Sequence, residues 1–300
     1  MRLRHWLCGT IAAAASGCAL APVPTDLGEG IATVAAIEPL RLDRPVIGLA
    51  LGSGGKRGFA HIGVLKALEA AGIKPDLIVG TSAGSMVGAL FASGLSAGEI
   101  ERIAEGIESP LLGRAVIPGR GLLSSEPIQS FVNRHVGNRR IEELAIPFAA
   151  VATDAQSGAE TVFNRGNTGM AVRASSSVPV FFQPVTIGGR EYVDGTLVSP
   201  VPVGVARRMG ADVVIAVNVA YTPREAALRD PIDMLFQTMQ IMATTINRLR
   251  LRQADVVIEP DIAGMGKVTF ADKRALIALG EHAARQMLPE LRARILGLAP

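Results

Sequence analysis

The sequence predicts an α/β fold in which a central, mostly parallel sheet is flanked by helices on both sides. Residues 46–51 (VIGLAL) and 76–80 (DLIVG) are short, continuous apolar runs, which is typical of strands buried on both faces of a sheet. Residues 59–70 between them carry apolar side chains at helical spacing. A strand, a helix and a second strand in this order form a βαβ unit, whose strands are parallel. With 300 residues, 49% of them hydrophobic, the chain can bury a large core.

The rest of the chain continues this alternation, which favours one large domain over residues 45–300. Further strands are predicted over residues 146–153, 160–163, 184–193, 212–219 and 255–260. Further helices are predicted over residues 85–93, 97–107, 126–135, 168–176, 230–252 and 271–296.

The predicted helix over residues 230–252 has two interpretations. Its apolar residues recur at heptad-like spacing, several of them are methionines, and Arg248, Arg250 and Arg252 cluster at its end. One interpretation is a helix packed on the sheet. The other is a lid or a membrane-facing helix, because methionine adapts to varied apolar surfaces and basic amphipathic helices bind membranes.

The N-terminal residues 1–17 predict an export signal. Arg2 and Arg4 are followed by an apolar stretch that is much shorter than the ~20 residues of a membrane-spanning helix. The segment 15–18 (ASGC) resembles the bacterial lipobox, in which the cysteine is lipidated after cleavage. We therefore expect lipidation at Cys18, while an uncleaved signal anchor and plain secretion remain alternatives.

Cysteine usage agrees with this interpretation. Cys8 lies inside the predicted signal, so Cys18 would be the only cysteine of the mature chain, and an intramolecular disulfide is excluded. By resemblance to bacterial lipoproteins, Ala19 after the cysteine implies anchoring in the outer membrane, facing the periplasm. Residues 18–44 contain proline and glycine without periodicity, which predicts a flexible tether after the lipidated cysteine.

Charge and composition exclude several classes of function. Without Arg2 and Arg4 the chain has 28 basic and 27 acidic residues, so the basic isoelectric point is a poor argument for nucleic-acid binding. The histidines are scattered and show no paired metal-ligand spacing. We expect no metal, no cofactor and no nucleic-acid partner, and membrane contact through the N-terminal lipid; the oligomeric state stays open.

The first motif with chemical meaning is G-x-S-x-G, formed by Gly80, Ser82 and Gly84. It stands between a predicted strand and a predicted helix. Small flanking residues permit a turn so tight that the serine side chain projects above the sheet. The N–H groups at the start of the next helix favour the negative charge that develops in acyl transfer. Ser82 is therefore a candidate nucleophile, the alternative being a serine in an ordinary tight connection.

The second motif is the glycine-rich segment 52–58 (GSGGKRG), which follows the first strand. Glycines leave backbone N–H groups accessible to a substrate oxygen, as an oxyanion hole requires. A dinucleotide-binding loop is disfavoured because the second strand lacks the expected terminal acid; Asp76 lies at its beginning. A P-loop is excluded because Lys56 is followed by Arg57 instead of serine or threonine.

The third motif is residues 192–196 (YVDGT), where Asp194 ends a predicted strand and precedes a glycine turn. A turn aspartate is common in this setting. Asp154, after the strand over residues 146–153, is the alternative acid, although it also resembles a simple turn residue.

Four segments in this order resemble the patatin-like phospholipase family. They are residues 52–69 (GSGGKRGFAHIGVLKALE), 78–94 (IVGTSAGSMVGALFASG), 174–185 (ASSSVPVFFQPV) and 192–202 (YVDGTLVSPVP). The resemblance implies a three-layer fold and a Ser-Asp dyad with Ser82 as nucleophile and Asp194 as base. It also implies an oxyanion hole formed by Gly54, Gly55 and Arg57, in which Gly54 and Gly55 direct N–H groups at the oxyanion and Arg57 has the family's basic position.

The implied function is hydrolysis of fatty-acyl esters of membrane lipids by a phospholipase, lysophospholipase or esterase. One departure is Ser53, where many family members have glycine. An alternative is a catalytically silent lipid-binding or envelope-organising lipoprotein with the same fold. A nucleotide-binding enzyme is a more remote one.

The chain order also permits a triad of Ser82, Asp194 and His282. His282 lies within a predicted helix instead of on a loop after a strand, which disfavours this mechanism. We expect His61 to be a packed or hydrogen-bonded residue and His135 to be a surface residue at a helix end.

Overall fold

The computed structural model describes residues 28–107, 114–115, 120–220, 231–265 and 268–297. The strands are β1 (Ala32–Thr33), β2 (Ile47–Leu51), β3 (Leu77–Thr81), β4 (Arg114–Ala115), β5 (Gly121–Ser124), β6 (Phe148–Asp154), β7 (Glu160–Phe163), β8 (Arg165–Gly166), β9 (Val180–Phe182), β10 (Val185–Ile187), β11 (Arg190–Asp194), β12 (Val213–Val217) and β13 (Val256–Ile258). The helices are α1 (Phe59–Ala70), α2 (Ala83–Ala92), α3 (Ala97–Glu105), α4 (Glu126–His135), α5 (Thr168–Ser175), α6 (Val203–Arg208), α7 (Pro231–Arg250) and α8 (Lys273–Gly297).

The main sheet confirms the predicted α/β class. Its strands are hydrogen-bonded in the order β10-β11-β6-β3-β2-β12-β13, with β3 and β11 paired to different stretches of β6, and β7 also pairs with β6. The ladders from β6 to β13 are parallel, whereas β7, β10 and β11 add antiparallel ladders at the other end. Parallel strands need a covered sheet because their side chains are apolar on both faces.

The two faces of the sheet pack into two separate cores. Along β2, Leu49 and Leu51 face one core, which also takes in side chains of α1 and α8. Ala50 faces the other core with Val203 and Val205 of α6. This alternation follows from the two-residue period of a strand. It gives the predicted arrangement of helices on both sides of a sheet.

The predicted single strand over residues 184–193 is wrong. The segment forms a hairpin of β10 and β11, paired antiparallel in register from Ile187 and Arg190 outward. Gly188 and Gly189 between the strands have φ of 58° and 79°. Two successive positive φ angles match the twist of the flanking strands in a two-residue hairpin turn, and glycine adopts them without a steric cost.

Residues 28–44 lie against the domain, which differs from the tether that their composition suggested. Ala32 of β1 is fully buried and pairs with Gly166 of β8. Farther along, the N–H of Leu40 donates to the carbonyl of Met209 at 2.8 Å. Composition does not reveal backbone pairing with partners so distant along the chain. The predicted signal over residues 1–17, Cys18 and the chain up to residue 27 lie outside the described residues.

A small sheet of β4, β5 and β9 and the short helix α6 had no counterpart in the prediction. Strands of two to four residues are too short to show an alternating pattern. As for membrane spans, each helix within the described ranges is either too short or too polar to cross a bilayer.

Candidate active site

Ser82 lies on a sharp turn between β3 and α2. Its φ of 54° and ψ of −123° are strained for a residue with a side chain, at a cost of about 1–3 kcal/mol. Glycine is required on both sides. A Cβ on Gly80 would lie 2.3 Å from the Cα of Ser85, and a Cβ on Gly84 would lie 2.2 Å from the carbonyl oxygen of Leu51. Both distances are far below van der Waals contact, so the G-x-S-x-G pattern here reflects a real steric need.

Two strand ends meet on one edge of β6 and bring the serine and the aspartate together. Thr81, which ends β3, pairs with Val151, and Asp194, which ends β11, pairs with the next residue, Ala152. Because β7 overlaps both ladders on β6, it must occupy the opposite edge. β3 and β11 therefore point at each other along the same edge. The Oγ of Ser82 donates a hydrogen bond to Oδ2 of Asp194 at 2.6 Å.

The Asp194 carboxylate is fully buried and has no cationic partner among the described residues. Its Oδ1 accepts from the N–H of Thr196 at 2.8 Å and from the Thr196 hydroxyl at 2.6 Å. Burial raises the pKa of Asp194 above its ordinary value, and the hydrogen bonds from Ser82 and Thr196 offset only part of this rise. The carboxylate is thus a stronger base than an exposed aspartate.

The turn around Ser82 is held by other serines. The N–H of Ser82 donates to Oγ of Ser175 at 2.9 Å, and the Ser175 hydroxyl donates to the carbonyl of Val151 at 2.6 Å. The hydroxyl of Ser85 donates to the carbonyl of Ser82 at 2.7 Å. Sequence reasoning assigned no role to Ser175, although the segment 174–185 that contains it was part of the family resemblance.

Thr196 was also missed. Its position two residues after Asp194 was a usable signal, because aspartate side chains commonly accept hydrogen bonds from the backbone two residues on.

The glycine loop presents unpaired N–H groups. Those of Gly52 and Ser53 bond to neighbouring backbone carbonyls. Within the described residues, those of Gly54 and Gly55 donate to no protein acceptor, at the start of a 3₁₀ turn whose first N–H groups have no intrahelical partner. A Cβ on Gly54 would lie 2.7 Å from the carbonyl oxygen of Val219. The loop therefore depends on glycine and offers donors to an anionic oxygen.

Arg57 supports this loop instead of adding a backbone donor to it. Its N–H donates to the carbonyl of Gly54 at 3.0 Å and is not available to a substrate. The buried guanidinium donates from Nη1 to the carbonyl of Ala220 at 3.0 Å. Arg57 thus ties the glycine loop to the segment that follows β12.

His61 lies under the same loop. Its ring is fully buried, and Nε2 lies 2.8 Å from the carbonyl oxygen of Gly52. Burial lowers the pKa of His61 to about 4, so the ring is neutral at pH 7. Since a carbonyl only accepts, Nε2 carries the proton and Nδ1, which has no partner in the described structure, is the unprotonated nitrogen. His61 is therefore a hydrogen-bonded support, as predicted.

The other histidines do not approach the dyad. His282 is exposed on α8, and the hydrogen bonds described for the Asp194 carboxylate come from Ser82 and Thr196 only. His135 at the end of α4 is half-buried, with Nδ1 2.8 Å from the carbonyl oxygen of Phe131, so it is less exposed than predicted.

Asp154 forms an ion pair. Its Oδ2 lies 2.5 Å from Nε of Arg190, and its Oδ1 accepts from the N–H and the hydroxyl of Ser157 at 2.9 Å. These contacts, with Arg190 first, hold the pKa of Asp154 well below its usual range. Asp154 is thus a poor base.

In the described part of the chain, acidic, histidine and cysteine side chains do not gather in groups that could hold a metal ion.

A model of the patatin-like phospholipase family matches residues 49–207, which is more than half of the chain and includes both Ser82 and Asp194. The chain belongs to the patatin-like phospholipase family. An uncharacterized NTE family protein of Mycobacterium tuberculosis is 38% identical over 178 residues, covering 58% of this chain and 49% of that protein. Another, from Mycobacterium bovis, is 31% identical over 269 residues, covering 81% of this chain and 46% of that protein.

The family also includes larger proteins. Mouse patatin-like phospholipase domain-containing protein 6 is 36% identical over 182 residues, covering 58% of this chain but 13% of that protein. The chain spans about half the length of the mycobacterial relatives. Among solved structures, VipD from Legionella pneumophila matches with a TM-score of 0.46 and 12% identity over 87% of this chain and 71% of that chain, too distant to inform on activity.

Proposed function

We propose that this protein is a serine acylhydrolase that cleaves fatty-acyl esters of membrane lipids, with Ser82 as nucleophile and Asp194 as base. The observation that carries the proposal is the 2.6 Å hydrogen bond from the Ser82 hydroxyl to the buried Asp194 carboxylate. A serine hydroxyl that is hydrogen-bonded directly to a base is one arrangement that activates a nucleophile for covalent catalysis. Membership of the patatin-like phospholipase family supports lipid esters as the substrate class.

In the first half of the reaction, Asp194 accepts the hydroxyl proton while Oγ of Ser82 attacks the ester carbonyl carbon. The carbonyl oxygen becomes an oxyanion, which the N–H groups of Gly54 and Gly55 and the start of α2 stabilise. When the intermediate collapses, the carbon–oxygen bond to the alcohol breaks and protonated Asp194 gives its proton to the leaving oxygen. The products are the lipid alcohol and a Ser82 acyl ester.

In the second half, water replaces the alcohol. Asp194 accepts a proton from the water as its oxygen attacks the acyl carbon, and the same N–H groups stabilise the second oxyanion. Collapse breaks the bond to Oγ, and the proton held by Asp194 returns to Ser82. The fatty acid leaves and the starting state is restored.

The pKa of Asp194 helps to explain how a carboxylate can serve as the base. An ordinary aspartate has a pKa of about 3.9 and is a weak base at neutral pH. Each unit by which burial raises this pKa makes proton transfer from serine more favourable by about 1.4 kcal/mol. Oxyanion donors lower the barrier further, typically by about 10²- to 10³-fold in rate each.

Release of fatty acid from a lipid extract tests the proposal. The wild type should release it, and Ser82→Ala should not. The matched control is Ser93→Ala. Ser93 is buried at the end of α2, the helix that begins after Ser82, and within the described residues its hydroxyl has one partner, the carbonyl of Leu90. A fluorophosphonate probe should label the wild type and Ser93→Ala but not Ser82→Ala. Retained release by a folded Ser82→Ala protein would refute the assignment.

We also propose export and lipidation at Cys18, supported by the basic start and the apolar stretch of residues 1–17 and by the ASGC segment. In cells fed a palmitate analogue, the wild-type chain should carry the label in the outer-membrane fraction, protected from protease until the periplasm is opened. Cys18→Ser should abolish the label. Labelling of the Cys18→Ser chain would contradict this assignment.

A further inference from the structure

The outward face of α7 is unusually apolar. Met234, Ile241, Met242 and Leu249 are 52%, 50%, 50% and 60% exposed. They make up four of the ten large hydrophobic side chains that are exposed in the described residues. On helix α8, by contrast, Leu296 is the one large hydrophobic side chain that is exposed among the described residues, and the other exposed positions are small, polar or charged or, at Pro289, proline.

These four side chains form one stripe. Met234 and Ile241 are seven residues apart, as are Met242 and Leu249, and seven residues are close to two helical turns. Ile241 and Met242 are adjacent, so the four positions occupy an arc of roughly 100°. Ala243 and Asn247 are buried on the other side. α7 therefore has an apolar stripe on its outward side in addition to the face that packs on the domain.

The hydroxyl groups of the two threonines within the stripe are hydrogen-bonded inside the helix. Thr238 and Thr245 are exposed, and their hydroxyls donate to the carbonyls of Met234 and Ile241 at 2.9 Å and 3.1 Å. A hydroxyl that bonds within its own helix loses little when it leaves water. These threonines therefore do not oppose burial of the stripe in an apolar medium.

Positive charge lies at one end of the stripe. Arg248 and Arg252 are exposed, and neither forms an ion pair within the described ranges. Wherever side chains of α7 are described, no exposed position carries a carboxylate. An apolar stripe with unpaired arginines is complementary to the boundary between acyl chains and anionic headgroups.

The buried side of α7 is attached at the edge of the sheet that carries the active site. Nδ2 of Asn247 donates to Oδ1 of Asn218 at 3.3 Å. Asn218 follows β12, whose last residue pairs with Leu51, the residue before the glycine loop. α7 also packs against the turn Gly195–Leu197, which follows Asp194 directly. The stripe is thus fixed to the catalytic edge of the molecule.

We propose that the outward face of α7 docks the protein on an anionic lipid surface, with the stripe at the headgroup boundary and Arg248 and Arg252 on lipid phosphates. Docking would hold the catalytic edge near the bilayer that contains the substrate. This inference rests on the proposed function in one respect, which is the choice of a lipid surface as the partner.

Vesicle co-sedimentation tests the proposal without catalysis or a lipid anchor. The full chain with Cys18→Ser and Ser82→Ala is mixed with vesicles of phosphatidylcholine, with or without phosphatidylglycerol as the minor component. We expect tighter binding when phosphatidylglycerol is present. Ile241→Glu should weaken binding at least about tenfold, and Arg248→Gln should weaken it about fivefold, only on the anionic vesicles. The matched control, Leu296→Glu, places the same charge on another exposed apolar residue and should bind as the parent does.

Further readouts separate the outcomes. With Ser82 intact, Ile241→Glu should hydrolyse a soluble short-chain ester at the wild-type rate, so a failure of the proposed catalysis appears there and not in sedimentation. Unchanged vesicle binding by Ile241→Glu would overturn the proposal. In that event, a change of the Ile241→Glu variant from dimer to monomer would show that the outward face of α7 binds a second copy of the chain. A lowered thermal midpoint of the variant would show that this face packs against other residues of the same chain.

Discussion

Two buried aspartates at neighbouring strand ends have opposite chemistry. Asp154 ends β6 and Asp194 ends β11, two strands that pair with each other. Asp154 has Arg190 as its partner, and its pKa is lowered. Among the described residues, the groups that donate hydrogen bonds to the Asp194 carboxylate are neutral, and its pKa is raised. The same residue type in the same local setting therefore becomes a stable anion or a base according to whether a cation lies beside it.

The largest expected effect separates the two aspartates by activity. Asp194→Asn removes the proposed base and should lower the rate of fatty-acid release by about 10⁴-fold or more. Asp154→Asn leaves the Ser82 site intact and should change the rate per folded molecule by less than about twofold, as expected for a residue away from the chemistry. The comparison breaks if both variants lose activity to the same extent.

The next-largest effect tests whether catalysis depends on the glycine loop as well as on Asp194. In Gly54→Ala the new Cβ would meet the Val219 carbonyl at 2.7 Å, so the loop must shift. We expect the catalytic rate constant to fall about 10²- to 10³-fold, as for loss of an oxyanion donor. Gly98→Ala is the control because nothing lies within 4 Å of its Cβ position. A normal rate for folded Gly54→Ala protein would exclude this loop as the oxyanion hole.

A smaller effect is expected when the hydroxyl that donates to either aspartate is removed. Thr196→Val removes a hydrogen bond that favours the charged form of Asp194, so the pKa of Asp194 should rise further. Because the proposed mechanism requires the ionised carboxylate of Asp194, the acidic limb of the pH–rate profile should move to higher pH. Ser157→Ala removes the equivalent donor from Asp154 and should leave the profile in place. An identical displacement in both variants would contradict the assignment of roles.

The smallest effect is on stability, with opposite signs. Asp194 has a raised pKa in the folded state, so ionisation opposes folding as the pH rises from about 3.9 through the folded-state pKa. Asp194→Asn should therefore raise the thermal midpoint at pH 7. Asp154 has a lowered pKa in the folded state, so its ionised form stabilises the fold at pH values above its unfolded-state pKa. This contribution is lost as the pH falls through the folded-state pKa. Asp154→Asn should lower the thermal midpoint at pH 7. Thermal scans of both variants measure the two signs, and two shifts of the same sign would contradict them.

The sequence predicted the parts of this site better than their assembly. The turn at Ser82 was readable because Gly80 and Gly84 are local steric requirements. That Asp194 reaches Ser82 came only from family resemblance, since it depends on two strands meeting at Val151 and Ala152 on one edge of β6. The hairpin around Gly188 was missed, although its glycine pair was a usable signal.

Contacts between distant segments and effects of burial were beyond sequence reasoning. The hydrogen bond from His61 to Gly52 and the pairing of Ala32 with Gly166 need the folded chain. The difference between Asp154 and Asp194 also needs it, because Arg190 is far from Asp154 along the chain. Residues 230–252 were correctly expected to be helical, but the two interpretations of that helix could be weighed only once its outward side chains were identified.

The most direct test of the central claim is the pH dependence of kcat/KM on a soluble ester, measured for the wild type and for a double variant, His135→Gln with His282→Gln. If Asp194 is the base without a histidine, both proteins should show the same acidic limb, and adding Thr196→Val to either protein should move that limb to higher pH because the pKa of Asp194 rises. Loss or displacement of that limb in the double variant would show that a histidine takes part and would contradict the Ser-Asp dyad.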